Sequence, residues 1–134
     1  MIAISRYSVA FILMLAMGCN NNDKDSNSST ASTFSCSVSK SGELTLCTQY
    51  QELSGSTLTS IQSECELRST EGYSWAVAAC PASTIGSCSL PASTQRPAAH
   101  TQYYYGAGFS SGGAAAGMCT QQTGGTFTAA TSAL

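Results

Sequence analysis

Cys36, Cys47, Cys65, Cys80, Cys88 and Cys119 constrain this chain more than any other feature. They fall within about one hundred residues, Phe34 to Leu134, that are rich in Gly, Ser, Thr and Ala, so one small domain with a modest apolar core is expected. Three disulfides would each contribute about 2–4 kcal/mol to such a domain. A metal site is the weaker reading. No C-x-x-C pair occurs and His100 is the single histidine, whereas zinc ligands come in close-spaced pairs. The sequence therefore predicts no cofactor. Cys19 makes the count odd and requires its own explanation.

That cysteine closes an apolar run. Arg6 stands near the amino terminus, and Val9 to Met17 follow without a charge. The run is too short to cross a bilayer, which takes about 20 residues, and it fits the core of a cleavable export signal. Leu15-Ala16-Met17-Gly18-Cys19 resembles the lipobox of bacterial lipoproteins, in which a small residue precedes a cysteine that is lipidated. Ala16 and Met17 depart from the commonest form and look like the loosened boxes of spirochaete lipoproteins. The resemblance implies that residues 1–18 are a signal peptide, that Cys19 carries acyl chains such as palmitate, and that the membrane is a partner through that lipid. Asn20, where Asp would retain an enteric lipoprotein in the inner membrane, points to the outer membrane.

Residues 19–33 read as a tether. From Asn20 to Thr33 only Ala31 is neither polar nor charged, and a segment that cannot bury apolar surface is expected to stay disordered. Its end-to-end distance as a flexible coil would be roughly 20 Å. The remaining domain, 34–134, carries Lys40, Arg68 and Arg96 against Glu43, Glu52, Glu64, Glu66 and Glu71. No basic patch can be built from that set, which argues against nucleic acid as a partner.

The domain reads as two similar units, about 34–79 and 80–134. Thr48-Gln49-Tyr50 answers to Thr101-Gln102-Tyr103, Cys47 to Cys88, and Cys65 to Cys119. Tyr73 and Phe127 each follow their cysteine by eight residues, with glycines between. Leu44, Leu46, Thr48 and Tyr50 alternate as in a half-buried strand, and Ser41-Gly42 can turn the chain back on Phe34 to Ser39. Leu58, Ile61 and Cys65 share one helical face, with Thr57 available as a cap and Gly72 as a stop. Tyr73 to Ala79 resumes a strand. In the second unit, Thr101 to Tyr105 reads as a strand and Gly113 to Gln122 as a helix capped by Ser110 or Ser111. The fold class expected is α+β: a small disulfide-stapled domain of two pseudo-repeats, each of short antiparallel strands plus one helix. A two-residue turn sets Cys36 opposite Cys47, and the preferred pairing is Cys36–Cys47, Cys80–Cys88 and Cys65–Cys119. Three cysteines per unit require at least one bridge between units. Tyr73 and Phe127 should both be buried.

Catalytic signals are weak. Gly108-Phe109-Ser110-Ser111-Gly112 matches the nucleophile turn of α/β hydrolases, but no acid or histidine follows it in the chain. His100 has neither a free thiol nor an orienting acid suggested near it. No enzyme is expected. Aromatic side chains suggest binding instead: Tyr103 and Tyr105 would share one strand face and Tyr104 the other, and Trp75 with Tyr104 could form a stacking platform for an extracellular protein or carbohydrate ligand. Beyond the lipobox, the cysteine and glycine-aromatic pattern resembles uncharacterised cysteine-rich bacterial lipoproteins. The reading is a lipid-anchored binding or adhesion module of the cell envelope; its alternative is a structural lipoprotein without a specific ligand. An exposed aromatic patch would favour the first, and burial of every large aromatic the second.

Overall fold

Ser41 and Gly42 have φ of 55° and 83°, the left-handed pair that a two-residue hairpin turn demands. They join β1 (Thr33–Lys40) to β2 (Glu43–Gln51). The computed structural model describes residues 32–131; the signal segment, Cys19 and most of the tether lie outside the described residues. Strand β1 takes in Thr33, the last residue of the expected tether. After β2 come helix α1 (Gly55–Leu67), a 3-10 turn (Ser69–Glu71) and β3 (Tyr73–Ala76). The second half holds β4 (Gly86–Leu90), β5 (His100–Tyr104), α2 (Gly112–Thr120) and β6 (Thr126–Ala129). The chain is a small α+β domain, with a six-stranded sheet in the order β3-β1-β2-β5-β4-β6. Every pairing is antiparallel.

Local chemistry places the ends. Ser111 Oγ accepts the Ala114 N–H at 3.3 Å and so caps α2. Helix α1 starts earlier than the sequence suggests, with Ser54 rather than Thr57 at its N-cap and no side-chain cap bond. Gly72, with φ of 90°, closes the turn after α1, and its carbonyl accepts the Ser39 N–H at 3.0 Å.

Three disulfides staple the domain: Cys36–Cys65, Cys47–Cys80 and Cys88–Cys119. None is a pair preferred from the sequence, and the reason is a one-residue slip. Ser39 stands opposite Leu44 but Val38 opposite Leu46, so Thr45 is an extra residue in β2. The bulge moves Cys47 from Cys36 to Ser37. Because successive strand residues face opposite sides, Cys36 and Cys47 end on different faces of the sheet. Cys36, Thr48, Gln102 and Cys88 form one row across β1, β2, β5 and β4. Bridges from Cys36 to α1 and from Cys88 to α2 therefore put both helices on that face. Cys47 faces the other side, where it holds Cys80 and the segment that crosses from β3 to β4. This bridge also ties residues 34–79 to 80–134.

The strands set a different correspondence from the expected one. Each half contains three strands and a helix, but Cys36 faces Trp75 as Cys88 faces Phe127. By register Cys88 therefore answers to Cys36, not Cys47, and Phe127 to Trp75, not Tyr73. Tyr73 and Phe127 are both half-buried rather than buried.

Packing is tighter under α2. Cys88, Leu90, Tyr104, Ala115 and Cys119 form the core there, with Leu46, Ile85, Phe109 and Phe127 against it. The Gly-Ala sequence of α2 lets it approach closely, burying Ala115 and Cys119 completely. Helix α1 buries only Cys65, and Leu67 at its end is 83% exposed.

Two predictions follow from this packing. A Cβ on Gly86, whose φ is 151°, would meet the Thr128 carbonyl oxygen and the Phe127 ring, each at 2.6 Å. Gly86→Ala should cost about 2–4 kcal/mol in denaturant unfolding; a loss below about 0.5 kcal/mol would disprove the close approach. Helix α1 should depend on its bridge more than on apolar contact. In a Cys36→Ala/Cys65→Ala variant, hydrogen exchange of Gln62 to Leu67 should accelerate at least about tenfold while α2 stays protected.

Candidate functional site

The platform expected from Trp75 and Tyr104 is not assembled. Tyr104 lies in the core under α2, 1% exposed, with its hydroxyl donating to Gln102 Oε1 at 3.0 Å. Its ring packs edge-on to Phe109 at 4.6 Å. Trp75 is half-buried on the edge strand β3, stacked on Phe34 at 5.8 Å. Alternation along β5 does put Tyr104 on the helix side and Tyr103 on the other, but the helix side is the covered one. Small side chains on α2 make room for a large ring beneath it, a fact that strand periodicity alone does not carry.

Two recesses flank the central strands. On the helix side a cleft of about 240 Å³ lies between α1 and the sheet. Val38, Leu46 and Ile61 supply apolar walls, Thr48, Tyr50 and Gln102 polar ones, and Glu64, Arg68 and Tyr73 also line it. Burial and then the Glu64 carboxylate push the Tyr50 phenol up from its ordinary value. The Arg68 guanidinium is committed to its own helix end: it pairs with Glu71 at 3.0 Å and lies 3.9 Å over the Tyr73 ring. Arg68 thus pairs with Glu71 rather than with Glu64, four residues before it.

The larger recess, about 640 Å³, is a trough on the opposite side. Gln49, Thr101, Ser89 and Thr126 form one row across β2, β5, β4 and β6 and all four line it. Gln51, Glu52 and Pro91 continue the wall at the strand ends. Gln49 is oriented by the backbone, its Oε1 accepting the Cys80 N–H at 2.9 Å, and Cys80 is itself bonded to Cys47. Arg96 ties the loops beyond the strands together: Nε donates to Pro91 O at 3.2 Å and an Nη to Thr123 O at 2.5 Å. Glu52 holds a left-handed backbone, φ 58°, at the trough's end. Gln49, Thr101, Ser89 and Thr126 are not among the ligand-lining residues expected from the sequence. The available signal was the alternation in β2, which sends Gln49 and Gln51 to the face away from Thr48 and Tyr50.

His100 belongs to the aromatic row of the helix side. Its ring lies 5.3 Å from Tyr50, and Nδ1–H donates to Ala98 O at 3.2 Å. Burial lowers its pKa below the ordinary 6.5, with the Ala98 bond opposing and the Arg96 charge reinforcing the shift. Ser110 is exposed and stands just before the α2 cap. Among the described residues, no group of three His, Cys, Asp or Glu could hold a metal ion, and no helix is long and apolar enough to cross a membrane. Comparison with protein-family profiles, curated proteins and solved structures finds no match to this chain.

The depressed His100 pKa has a defined consequence. Above 6.5 the ring is neutral folded and unfolded; as pH falls through that value the unfolded chain takes up the proton first. Stability should thus decline below about pH 6.5 and level off below the folded pKa. His100→Phe should flatten that segment of a Tm-against-pH curve, and an unchanged curve would show that His100 is not the group responsible.

Proposed function

We propose that the protein is a lipid-anchored module of the cell envelope, held by Cys19 and presenting a non-enzymatic binding surface. The anchoring part rests on the cysteine that closes the apolar run, and the three disulfides support an oxidising compartment outside the cytoplasm. The binding part rests on one observation, the trough on the sheet face away from the helices, whose volume of about 640 Å³ falls in the range of ligand sites. Its wall is fixed in advance by the Cys80 contact to Gln49 and the Arg96 contacts to Pro91 and Thr123.

One finding favours the alternative, an envelope lipoprotein without a specific ligand. Among the described aromatic residues, Phe34, Tyr104 and Tyr105 are buried and Tyr50, Tyr73, Trp75, Tyr103, Phe109 and Phe127 half-buried. A fully exposed ring, the usual anchor of a sticky surface, is not among them. Binding through polar groups of the trough is the reading that accommodates both facts.

Anchoring is tested on the full chain expressed in a bacterial host. Parent protein should incorporate a fatty-acid label and enter the detergent phase on temperature-induced partitioning. Cys19→Ala should do neither, since stable attachment needs more than one acyl chain. A Cys19→Ala protein that still labels and partitions would refute the anchor.

A further inference from the structure

The trough's chemistry narrows its ligand. Gln49, Thr101, Ser89 and Thr126 stand on four adjacent strands, and strands repeat about every 4.8 Å. The row is therefore a ladder of hydroxyl and amide groups running perpendicular to the strands. That interval is comparable with the advance of one pyranose ring along an extended glycan. Each rung both donates and accepts hydrogen bonds, as sugar hydroxyls do. Glu52 and His100 are the ionisable residues of the lining, and the His100 ring turns to the helix side, against Tyr50.

We infer that the trough binds a neutral linear oligosaccharide laid across β2, β5, β4 and β6, with one sugar unit spanning each of the three intervals between Gln49, Thr101, Ser89 and Thr126. This rests on the binding-module reading above and assigns its ligand class. Gln49, with Oε1 held by the Cys80 N–H, presents Nε2 as an oriented donor. Glu52 stands at the trough's end, just past β2, in a backbone conformation that costs a non-glycine residue about 1 kcal/mol or more; a carboxylate there can accept from two neighbouring hydroxyls at once. An anionic ligand would meet Glu52 and no opposing cation in the lining. A peptide laid across the strands would meet no free main-chain groups on β2, β5 or β4, which are paired on both sides.

The test uses the full-length, isotope-labelled protein in micelles of a detergent without a sugar headgroup. Chitotriose and cellotriose are titrated separately, with a trimer of galacturonic acid as the charged comparison. One neutral trisaccharide should produce saturable shifts in the Gln49 and Gln51 side-chain amides and the Thr101 and Thr126 backbone amides, with Kd on the order of 1 mM or below. Thr101→Val and Thr126→Val, which keep side-chain shape, should each weaken that Kd at least about fivefold while the rest of the amide spectrum stays in place. Parent affinity in both variants would overturn the inference, as would tighter binding of the galacturonate trimer. Shifts confined to Tyr50 and Gln102 would also overturn it, but would leave a binding module acting through the helix-side cleft. No shift with either neutral trimer at roughly 10 mM would remove the glycan, with the anchor judged separately by Cys19→Ala.

Discussion

Two covalent bonds between helix and strand do in this domain what apolar area does in larger ones. Cys36–Cys65 holds α1 to β1 and Cys88–Cys119 holds α2 to β4. Helix α1 offers the sheet one buried residue, the cysteine itself, so its docking cannot come mainly from the hydrophobic effect. The three bridges close loops of similar length, with separations of 29, 33 and 31 residues, for which chain entropy gives about 3–4 kcal/mol each in isolation. Cys36–Cys65 and Cys47–Cys80 interlock along the chain, so the second restricts an unfolded ensemble already restricted by the first. Their contributions are less than additive. Cys88–Cys119 closes a separate loop and keeps its full effect.

The Thr45 bulge decides how those bridges divide the molecule. Without it Cys36 and Cys47 would face each other across the hairpin and both could point only to one side. With it, one cysteine takes a helix and the other takes the crossing segment, and both faces of the sheet are tied. The extra residue is also used locally. Thr45 Oγ1 donates to Val38 O at 2.9 Å, and its carbonyl accepts the Tyr105 N–H at 3.2 Å. Gly108 approaches so closely that a Cβ there would lie 2.8 Å from Thr45 Cβ. A bulge that re-aims one side chain thus also anchors the loop after β5.

What could be read from the sequence follows the range over which each signal acts. Local signals served well: Ser41-Gly42 as a turn, Ser111 as a cap, the alternation of β2 and β5, and the presence of disulfides in a chain with little core. The disulfide partners depend on register between strands distant in sequence, and a single inserted residue reverses a side chain's face. Nothing in Glu43-Leu44-Thr45-Leu46-Cys47 marks Thr45 as the extra one. The repeat was harder still, because aligning cysteine with cysteine matched Cys47 to Cys88, whereas the strands equate Cys88 with Cys36. Tyr104 was misplaced for a related reason: its face was legible, but which face the helices would cover depended on where Cys36 and Cys88 point.

That partition also explains why polar residues crowd one side of the sheet. Helices covering the first face bury Tyr104 and Leu90 there and partly cover Leu46 and Phe127, and alternation then commits the intervening positions to the second face. The crossing segment tied at Cys80 covers only part of that second face. Ser35, in the same row as Gln49 and Thr101 by register, is 5% exposed, while Ser89 and Thr126 further along are open. An uncovered sheet face of apolar side chains would invite association with other chains. Ser, Thr and Gln avoid that hazard and leave hydroxyl and amide groups at strand spacing. Solubility alone would be served as well by charged residues, yet the row from Gln49 to Thr126 contains none. A ladder of neutral donors and acceptors, walled by loops that Arg96 and Cys80 hold in place, is the arrangement on which the proposed glycan binding rests.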